Sequence, residues 1–194
     1  SLKAKFTRLG NRVMTEYCEQ KKLPINKCGK LVVAKDAGDL PQMDELVRRG
    51  KANGVVLQEL NEDEAKKIEP RVKTYQRALF SPATSSVDPT QVTLSMKKDA
   101  QDEGVEIRTG VAYLGKTKEG IRTNAGDFSA GYFINSAGLY ADKIALDFGF
   151  SENYRILPFK GLYLYSNEHE GAVRANIYPV PDLRNPFLGV HFTI

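Results

Sequence analysis

The chain contains the stretch Tyr132-Phe133-Ile134-Asn135-Ser136-Ala137-Gly138-Leu139-Tyr140-Ala141-Asp142, which says more about its fold than any other part. The apolar beginning predicts a buried strand, and the end starts an amphipathic helix that we expect to run to about Phe148. The small residues Ser136, Ala137 and Gly138 join these two elements. Small side chains before a helix let a ligand approach free backbone N–H groups, which favour a phosphate. The same pattern also serves as a plain tight connection.

The pattern of apolar residues on either side of this stretch predicts an α+β fold. Helices are predicted over the first twenty or so residues, at 39–49, after the capping residues Asn61 and Asp88, and at 139–148. Strands are predicted at 30–35, 78–80, 105–108, 111–116, 121–124, 128–134, 156–166, 175–178 and 187–194. We therefore expect a mixed, largely antiparallel sheet with helices on one side.

Composition excludes several classes of protein. With 41% hydrophobic and 27% charged residues among 194, the chain can fill a core and is not expected to be disordered. No window approaches the ~20 apolar residues of a membrane-spanning helix. The net charge of +4 is small and its lysines are scattered, so a nucleic-acid partner is not indicated.

The cysteines and histidines indicate the cellular compartment and the kinds of metal site to be expected. Cys18 and Cys28 fit neither a zinc spacing nor a secreted disulfide framework, and no signal peptide opens the chain. We therefore expect a reducing location, either a bacterial-type cytoplasm or an organelle, and not secretion. Because His169 and His191 are its only histidines, a histidine-rich metal site is not expected.

Four stretches in a fixed order make the chain similar to a known family. They are Ser86–Pro89, Phe133–Ala145, Pro158–Tyr163 and Ile177–Thr193. In this order they resemble the D-amino-acid-oxidase-type family of FAD-dependent oxidoreductases, and within it the branch that acts on L-2-hydroxyglutarate. The resemblance covers almost the whole chain, and its specific part is the last of the four stretches.

The resemblance implies a role in FAD binding for two segments. Val111, expected on a strand after Thr109-Gly110, matches the position whose backbone contacts the flavin's adenine. Ser136, Ala137 and Gly138 match the turn that lies against FAD. The family's opening strand–Gly-x-Gly-x-x-Gly–helix, which holds the pyrophosphate, has no counterpart, because none of the sixteen glycines forms a Gly-x-Gly pair.

The resemblance also places three segments in a substrate-domain sheet that roofs the isoalloxazine ring. They are Phe159–Tyr163, Tyr178 and Phe187–Thr193. Lys160, Tyr163 and Tyr178 are the candidate substrate-binding residues. Lys160 could steady a substrate carboxylate or be an ordinary surface lysine, and Tyr163 could line a pocket or belong to the core.

His191 is the candidate catalytic residue. Alternation in the last strand puts Leu188, Val190, Phe192 and Ile194 on an apolar core face, so His191 should point the other way. There it would lie beside Gly189, whose missing side chain would leave room for a ligand. A neutral imidazole can take a hydroxyl proton at neutral pH, and a charged one can hold a carboxylate. Alternatively, this face is exposed to solvent or packed on a neighbouring domain.

The ends of the chain and the missing glycine motif predict a piece of a longer enzyme. The chain begins inside an amphipathic helix and stops within an alternating strand, and the family's closing segment is also absent. We expect substrate-domain elements over 1–86, part of an FAD-binding domain over 87–150, and substrate-domain sheet over 151–194. Alone, such a chain would bind FAD weakly or not at all.

The resemblance implies the oxidation of a small 2-hydroxy acid, with L-2-hydroxyglutarate becoming 2-oxoglutarate. The cofactor would be FAD, and the residues do not identify the electron acceptor. Two alternatives stay open at this point. One is an FAD-dependent amine or amino-acid oxidase of the same family, and the other is a substrate-domain fragment without turnover.

Overall fold

A computed structural model describes residues 1–182 and 189–194, which form two compact units. The first unit consists of Ser1–Asp102 together with Asn167–Ile194, and the second consists of Glu103–Ser166. Within the described residues, no helix has both the length and the apolar character needed to cross a bilayer.

The first unit contains four helices and six strands in its described part. The helices are α1 (Leu2–Gln20), α2 (Leu40–Ala52), α3 (Glu62–Ile68) and α4 (Pro89–Asp102), with a short 3-10 turn at Ala37–Asp39. The strands are β1 (Ile25–Asn26), β2 (Lys30–Val33), β3 (Gln58–Asn61), β4 (Arg77–Ser81), β5 (Ser86–Val87) and a later strand, β9 (Asn176–Pro179).

A four-stranded sheet in the order β3-β4-β2-β9 is the centre of this unit. The pairs β3–β4 and β2–β4 are antiparallel, whereas β2 and β9 are parallel, with Lys30 opposite Asn176 and Val32 opposite Tyr178. Strands β1 and β5 form a separate antiparallel pair. The mixed, largely antiparallel sheet predicted from the sequence is confirmed.

Helices cover both faces of this sheet rather than the one face expected. Leu31 and Ala78 pack with Ala65 of α3 in one buried cluster. Leu79, the next residue along β4, packs with Met43 of α2 in a second cluster. Since neighbouring residues in a strand point to opposite faces, the two clusters lie on opposite sides of the sheet.

The capping signals read from the sequence are confirmed. At the start of α3, the Asn61 side chain accepts from the Glu64 N–H at 2.9 Å, and the Glu64 carboxylate accepts from the Asn61 N–H at 2.8 Å. At the start of α4, Asp88 accepts from the N–H groups of Thr90 and Gln91 at 2.8 and 3.3 Å. Such caps depend only on neighbouring residues and are therefore visible in sequence.

The second unit contains a three-stranded antiparallel meander, followed along the chain by one short helix. Strands β6 (Tyr113–Lys116), β7 (Gly120–Thr123) and β8 (Gly126–Ser129) pair in sequence. A 3-10 turn at Gly138–Tyr140 leads into α5 (Ala141–Asp147). Phe133 stacks between Tyr113 and Phe148, with ring centroids 6.0 and 5.0 Å apart.

Three predicted strands of the second unit are wrong in whole or in part. Residues 105–108 and 156–166 form no strand, and the strand predicted at 128–134 ends at Ser129. Tyr132 and Ile134 are 94% and 85% exposed, and Leu164 is fully exposed. An apolar segment becomes a strand only beside another strand, and the described residues of this unit pair no strand with these segments.

The compact units divide the chain differently from the ranges expected for the functional domains. Helix α4 belongs to the first unit, and residues 151–166 belong to the second. A compact unit need not coincide with a functional domain. The assignment of 1–86 and 151–194 to a substrate domain, and of 87–150 to an FAD-binding domain, therefore stays a prediction.

Candidate functional site

Tyr178 and His191, two of the residues predicted for the site, lie together in the first unit. Tyr178 is in β9, and the chain returns to β9 through an antiparallel bridge between Ile177 and Phe192. The bridge consists of two main-chain hydrogen bonds, of 3.1 and 2.9 Å. It puts His191 across from Tyr178, and their ring centroids are 4.5 Å apart with the planes at 39°.

The surroundings of His191 define which of its nitrogens can act as a base. Nδ1 lies 3.0 Å from the carbonyl oxygen of Gly189. Because a carbonyl oxygen can only accept, the hydrogen of the neutral ring is on Nδ1 and the lone pair is on Nε2. The imidazole is therefore held in the tautomer that can take a proton through Nε2.

The face predicted for this segment is reversed in the structure. Val190 and Phe192 are 89% and 58% exposed, whereas His191 is half-buried against Tyr178. The bridge to β9 determines which way these side chains point. Phe192 lies opposite Ile177 and therefore points to the same side of the sheet, at its edge. Residues opposed in an antiparallel pair point to the same side, so His191 follows Tyr178. Phe187 and Leu188 of the predicted strand lie outside the described residues.

The room predicted beside Gly189 is filled by the neighbouring proline. A Cβ placed on Gly189 would lie 3.0 Å from Cγ of Pro179, which is tighter than ordinary van der Waals contact. The glycine therefore allows the chain to pass close to β9. It does not open a space for a ligand, and that part of the prediction is wrong.

Lys30 is a candidate site residue that the sequence reading missed. It is the first residue of β2, is half-buried, and holds Nζ 5.1 Å from the centroid of the Tyr178 ring. Burial lowers the pKa of this ammonium group from its usual value. The only signal in the sequence is a lysine that opens the apolar strand Lys30–Val33. We refer to these three residues as the Lys30–Tyr178–His191 cluster.

Asn176 fixes the end of the chain beside this cluster. Its side chain is buried, and the side-chain oxygen Oδ1 accepts from the N–H of Ile194 at 3.2 Å. Its amide nitrogen lies 3.3 Å from Sγ of Cys28 and 3.4 Å from Oγ of Ser86. Residues 191–194 are therefore tied to β9 both by main-chain pairing and by a buried side chain.

In the second unit, the Ser136–Gly138 turn has a well-defined and open backbone. The Asn135 side chain accepts from the N–H of Ala137 at 3.2 Å and donates to the carbonyl of Ala141 at 2.7 Å. Gly138 has φ +55°, and a Cβ placed on it would meet nothing within 4 Å. The turn thus leaves space for a flat or extended ligand to lie against its backbone, which fits part of FAD.

Val111 is half-buried, but it is not in a strand as predicted. Strand β6 begins two residues later, at Tyr113. The Asn124 side chain holds this entry to β6 by accepting from the N–H of Ala112 at 2.8 Å and donating to the carbonyl of Gly110 at 3.0 Å. The local backbone is therefore ordered by side-chain hydrogen bonds in place of strand pairing.

Lys160 and Tyr163 lie in the second unit, in a segment without regular secondary structure. Both side chains are exposed, and Tyr163 is 75% accessible. The predicted strand that would have carried them is absent, as described above. Their proposed contacts with substrate stay a prediction.

An open cavity of about 320 Å³ lies next to the turn in the second unit. Asn135, Asp142 and Arg155 are among its lining residues. The Asp142 carboxylate accepts from the backbone N–H of Ile156 at 3.1 Å, and this hydrogen bond is the main cause of its lowered pKa. The side chains of Asn135 and Asp142 thus form hydrogen bonds to the main chain. Because these polar groups are already occupied, we do not assign the cavity a binding or catalytic role.

Comparison with known proteins places this geometry in a family. The family model for FAD dependent oxidoreductases (DAO) matches residues 1–194. The mitochondrial L-2-hydroxyglutarate dehydrogenase of Bos taurus is 37% identical over the whole chain, which covers 45% of that protein. The L-2-hydroxyglutarate dehydrogenase of Escherichia coli (strain K12) is also 37% identical over the whole chain, which covers 47% of it. The chain spans a little under half the length of these relatives.

Solved structures agree at the level of the fold. L-proline dehydrogenase from P. horikoshii superimposes with a TM-score of 0.77 at 17% identity, over 90% of this chain and 49% of that one. L-alpha-glycerophosphate oxidase from Mycoplasma pneumoniae, solved with FAD bound, gives a TM-score of 0.74 at 23% identity, over 94% of this chain and 51% of that one. With a family model that matches its full length, the chain belongs to the DAO family of FAD-dependent oxidoreductases.

Proposed function

We propose that this chain is part of an enzyme that oxidises L-2-hydroxyglutarate to 2-oxoglutarate with FAD. The observation that carries the proposal is the Tyr178–His191 pair, in which Nε2 of the imidazole is free to accept a proton. Two relatives named L-2-hydroxyglutarate dehydrogenase, 37% identical over the whole chain, support the choice of substrate.

Val111 and the Ser136–Gly138 turn would hold part of FAD. The open space above Gly138 and its lack of a side chain support this role. When bound, FAD accepts the hydrogen and the electron pair that leave C2 of the substrate. The chain's sixteen glycines include no Gly-x-Gly pair, so the pyrophosphate would depend on residues outside it.

His191 would act as the general base. As the C2–H bond breaks and its electron pair departs, the O–H bond of the substrate breaks and its proton passes to Nε2, which leaves a C=O bond at C2. The Gly189 carbonyl, by accepting from Nδ1–H, keeps Nε2 as the basic atom and stabilises the imidazolium that forms. The Tyr178 ring supports the imidazole from the side and would form a wall for the substrate.

Lys160 and Tyr163 would supply further substrate contacts, and the electron acceptor is unidentified. We also propose a reducing location, either bacterial cytoplasm or an organelle. Free Cys18 and Cys28 support it, as do relatives that include a mitochondrial and a bacterial protein.

The test is anaerobic reduction of the full-length, FAD-loaded protein. We expect L-2-hydroxyglutarate to bleach the flavin absorbance and to yield one 2-oxoglutarate per flavin, and we expect the D enantiomer to do neither. Bleaching by L-proline or glycine, but not by L-2-hydroxyglutarate, would show an amino-acid oxidase and contradict the proposal. Bound flavin that no 2-hydroxy acid reduces would contradict it as well.

A further inference from the structure

The ammonium group of Lys30 lies against the Tyr178 ring, which also contacts His191. Its Nζ lies 5.1 Å from the centroid of Tyr178, and the His191 ring lies 4.5 Å from the same centroid. Lys30 and Tyr178 are on the two strands β2 and β9, which are paired in parallel. The cation and the proposed base therefore both contact the ring of Tyr178.

Among the described residues, no acidic side chain balances the charge of Lys30. No carboxylate within residues 1–182 and 189–194 forms an ion pair with Lys30, and burial alone accounts for its lowered pKa. Lys21 is the contrasting case, since its hydrogen bond to Asp99 raises its pKa. A half-buried ammonium group is costly unless an anion pairs with it. Its position at this ring thus indicates an anionic ligand.

We propose that Lys30 binds the second carboxylate of the substrate and so selects dicarboxylic 2-hydroxy acids over monocarboxylic ones. The inference rests on the proposed function for the site at Tyr178 and His191. Three carbon–carbon bonds separate the reacting C2 of a five-carbon 2-hydroxy diacid from its distal carboxylate. A substrate with its hydroxyl at His191 Nε2 would extend along the Tyr178 ring and bring that carboxylate to Nζ of Lys30.

The first test compares two substrates that differ only at the far end. In the full-length, FAD-loaded protein, Lys30→Met removes the charge and keeps most of the side-chain volume. We expect kcat/KM for L-2-hydroxyglutarate to fall about 10- to 100-fold, the range for a lost hydrogen bond to a charged group. We expect kcat/KM for L-2-hydroxypentanoate, which ends in a methyl group, to stay the same, and Lys30→Arg to retain part of the preference.

The matched control is Lys35→Met, because Lys35 is exposed shortly after the same strand. Lys35→Met should leave kcat/KM unchanged for both substrates. An equal fall for both substrates in Lys30→Met, with flavin content unchanged, would assign Lys30 to the carboxylate next to C2 or to general packing. Either of these assignments would overturn the proposal.

A second test does not depend on turnover. Glutarate and butyrate are titrated against the FAD-loaded protein, and binding is followed by the shift in the flavin spectrum. We expect glutarate to bind more tightly than butyrate, and Lys30→Met to remove the difference. If L-2-hydroxyglutarate is not oxidised but this difference is found, the proposed function fails while the anion site stands. If oxidation occurs and Lys30→Met leaves the glutarate preference intact, the inference about Lys30 is overturned.

Discussion

His191 lies across the edge of the sheet from Tyr178, with their rings 4.5 Å apart, and its Nδ1 is engaged by the carbonyl of Gly189. These two contacts fix both the plane of the imidazole and the identity of its free nitrogen. A histidine held in this way by main-chain pairing is oriented before any substrate binds. This preorganisation is what a general base requires.

We predict that His191→Ala lowers kcat/KM for L-2-hydroxyglutarate by ~10²-fold or more in the full-length enzyme, because the proton acceptor is lost. Steady-state kinetics at saturating electron acceptor measures it, and flavin content should stay unchanged. Phe192→Ala is the control, since its exposed side chain can be removed without breaking the main-chain bridge to Ile177. A loss under about threefold (~0.7 kcal/mol) in His191→Ala would show that His191 is not the base.

We predict that a side chain at Gly138 lowers FAD occupancy. Asparagine tolerates a positive φ, so Gly138→Asn adds atoms above the turn with little backbone strain. Gly104→Asn is the matched control, because Gly104 also has a positive φ (+84°) and open space where a Cβ would be. The ratio of flavin to protein absorbance in the purified full-length protein should fall only for Gly138→Asn. Equal ratios in both variants would identify the turn as a plain connection.

We predict that Glu69 is required for the stability of the first unit. Its fully buried carboxylate accepts from the N–H of Arg71 at 3.0 Å and from the N–H of Arg174 at 2.5 Å, just before β9. Glu69→Ala leaves both donors without an acceptor, and each such group costs about 1–3 kcal/mol. Urea denaturation should show a clear drop in the free energy of unfolding.

The control for Glu69 is Glu168→Ala, which removes an exposed carboxylate that pairs with the Arg71 side chain. Exposed ion pairs contribute little, so its denaturation midpoint should stay close to that of the unaltered protein. If Glu69→Ala unfolds at the same urea concentration as Glu168→Ala, Glu69 does not anchor β9.

We predict that stability falls in acid partly through Asp99, which joins α1 to α4. Its carboxylate accepts from Nζ of Lys21 at 2.5 Å and from the Tyr17 hydroxyl at 2.8 Å, and these bonds lower its pKa. A folded-state pKa below the unfolded value of about 3.9 stabilises the fold above that pH, and this contribution disappears as the pH falls through the folded pKa.

Thermal unfolding between neutral pH and about pH 2 measures the effect. Asp99→Asn should lower Tm at neutral pH and should show a smaller further loss in acid than the unaltered protein. Asp102→Asn is the control, because Asp102 pairs with Lys98 within α4 and both side chains are exposed. Acid curves of the same slope for Asp99→Asn and the unaltered protein would contradict the prediction.

Features that depend on adjacent residues could be predicted from the sequence. The caps at Asn61 and Asp88, with the helices that they begin, follow from hydrogen bonds over two or three residues. Strand β4 is flanked on both sides by other strands, and the apolar residues 78–80 predict it. The apolar residues Tyr132 and Leu164 predict strands that do not form, because alternation shows what a segment could bury and not whether a pairing strand is present.

The parts of the site that the sequence could not supply depend on long-range pairing. The direction of His191 is set by the Ile177–Phe192 bridge, which overrides the apolar alternation of its own segment. Lys30 is half-buried over Tyr178 only because β2 pairs with a strand far along the chain. Neither pairing leaves a local mark on the sequence.

The parallel pairing of β2 with β9 sets an order for folding during synthesis. Strand β2 ends at Val33, β9 begins at Asn176, and the whole second unit is translated between them. At roughly 5–20 residues per second, a ribosome needs on the order of 10 s for this interval. Throughout that time we expect the edge of β2 that later receives β9 to carry open hydrogen-bonding groups beside Leu31, and such an edge favours pairing with another nascent chain. Slower elongation across the second unit should therefore increase aggregation more than slower elongation after Pro179.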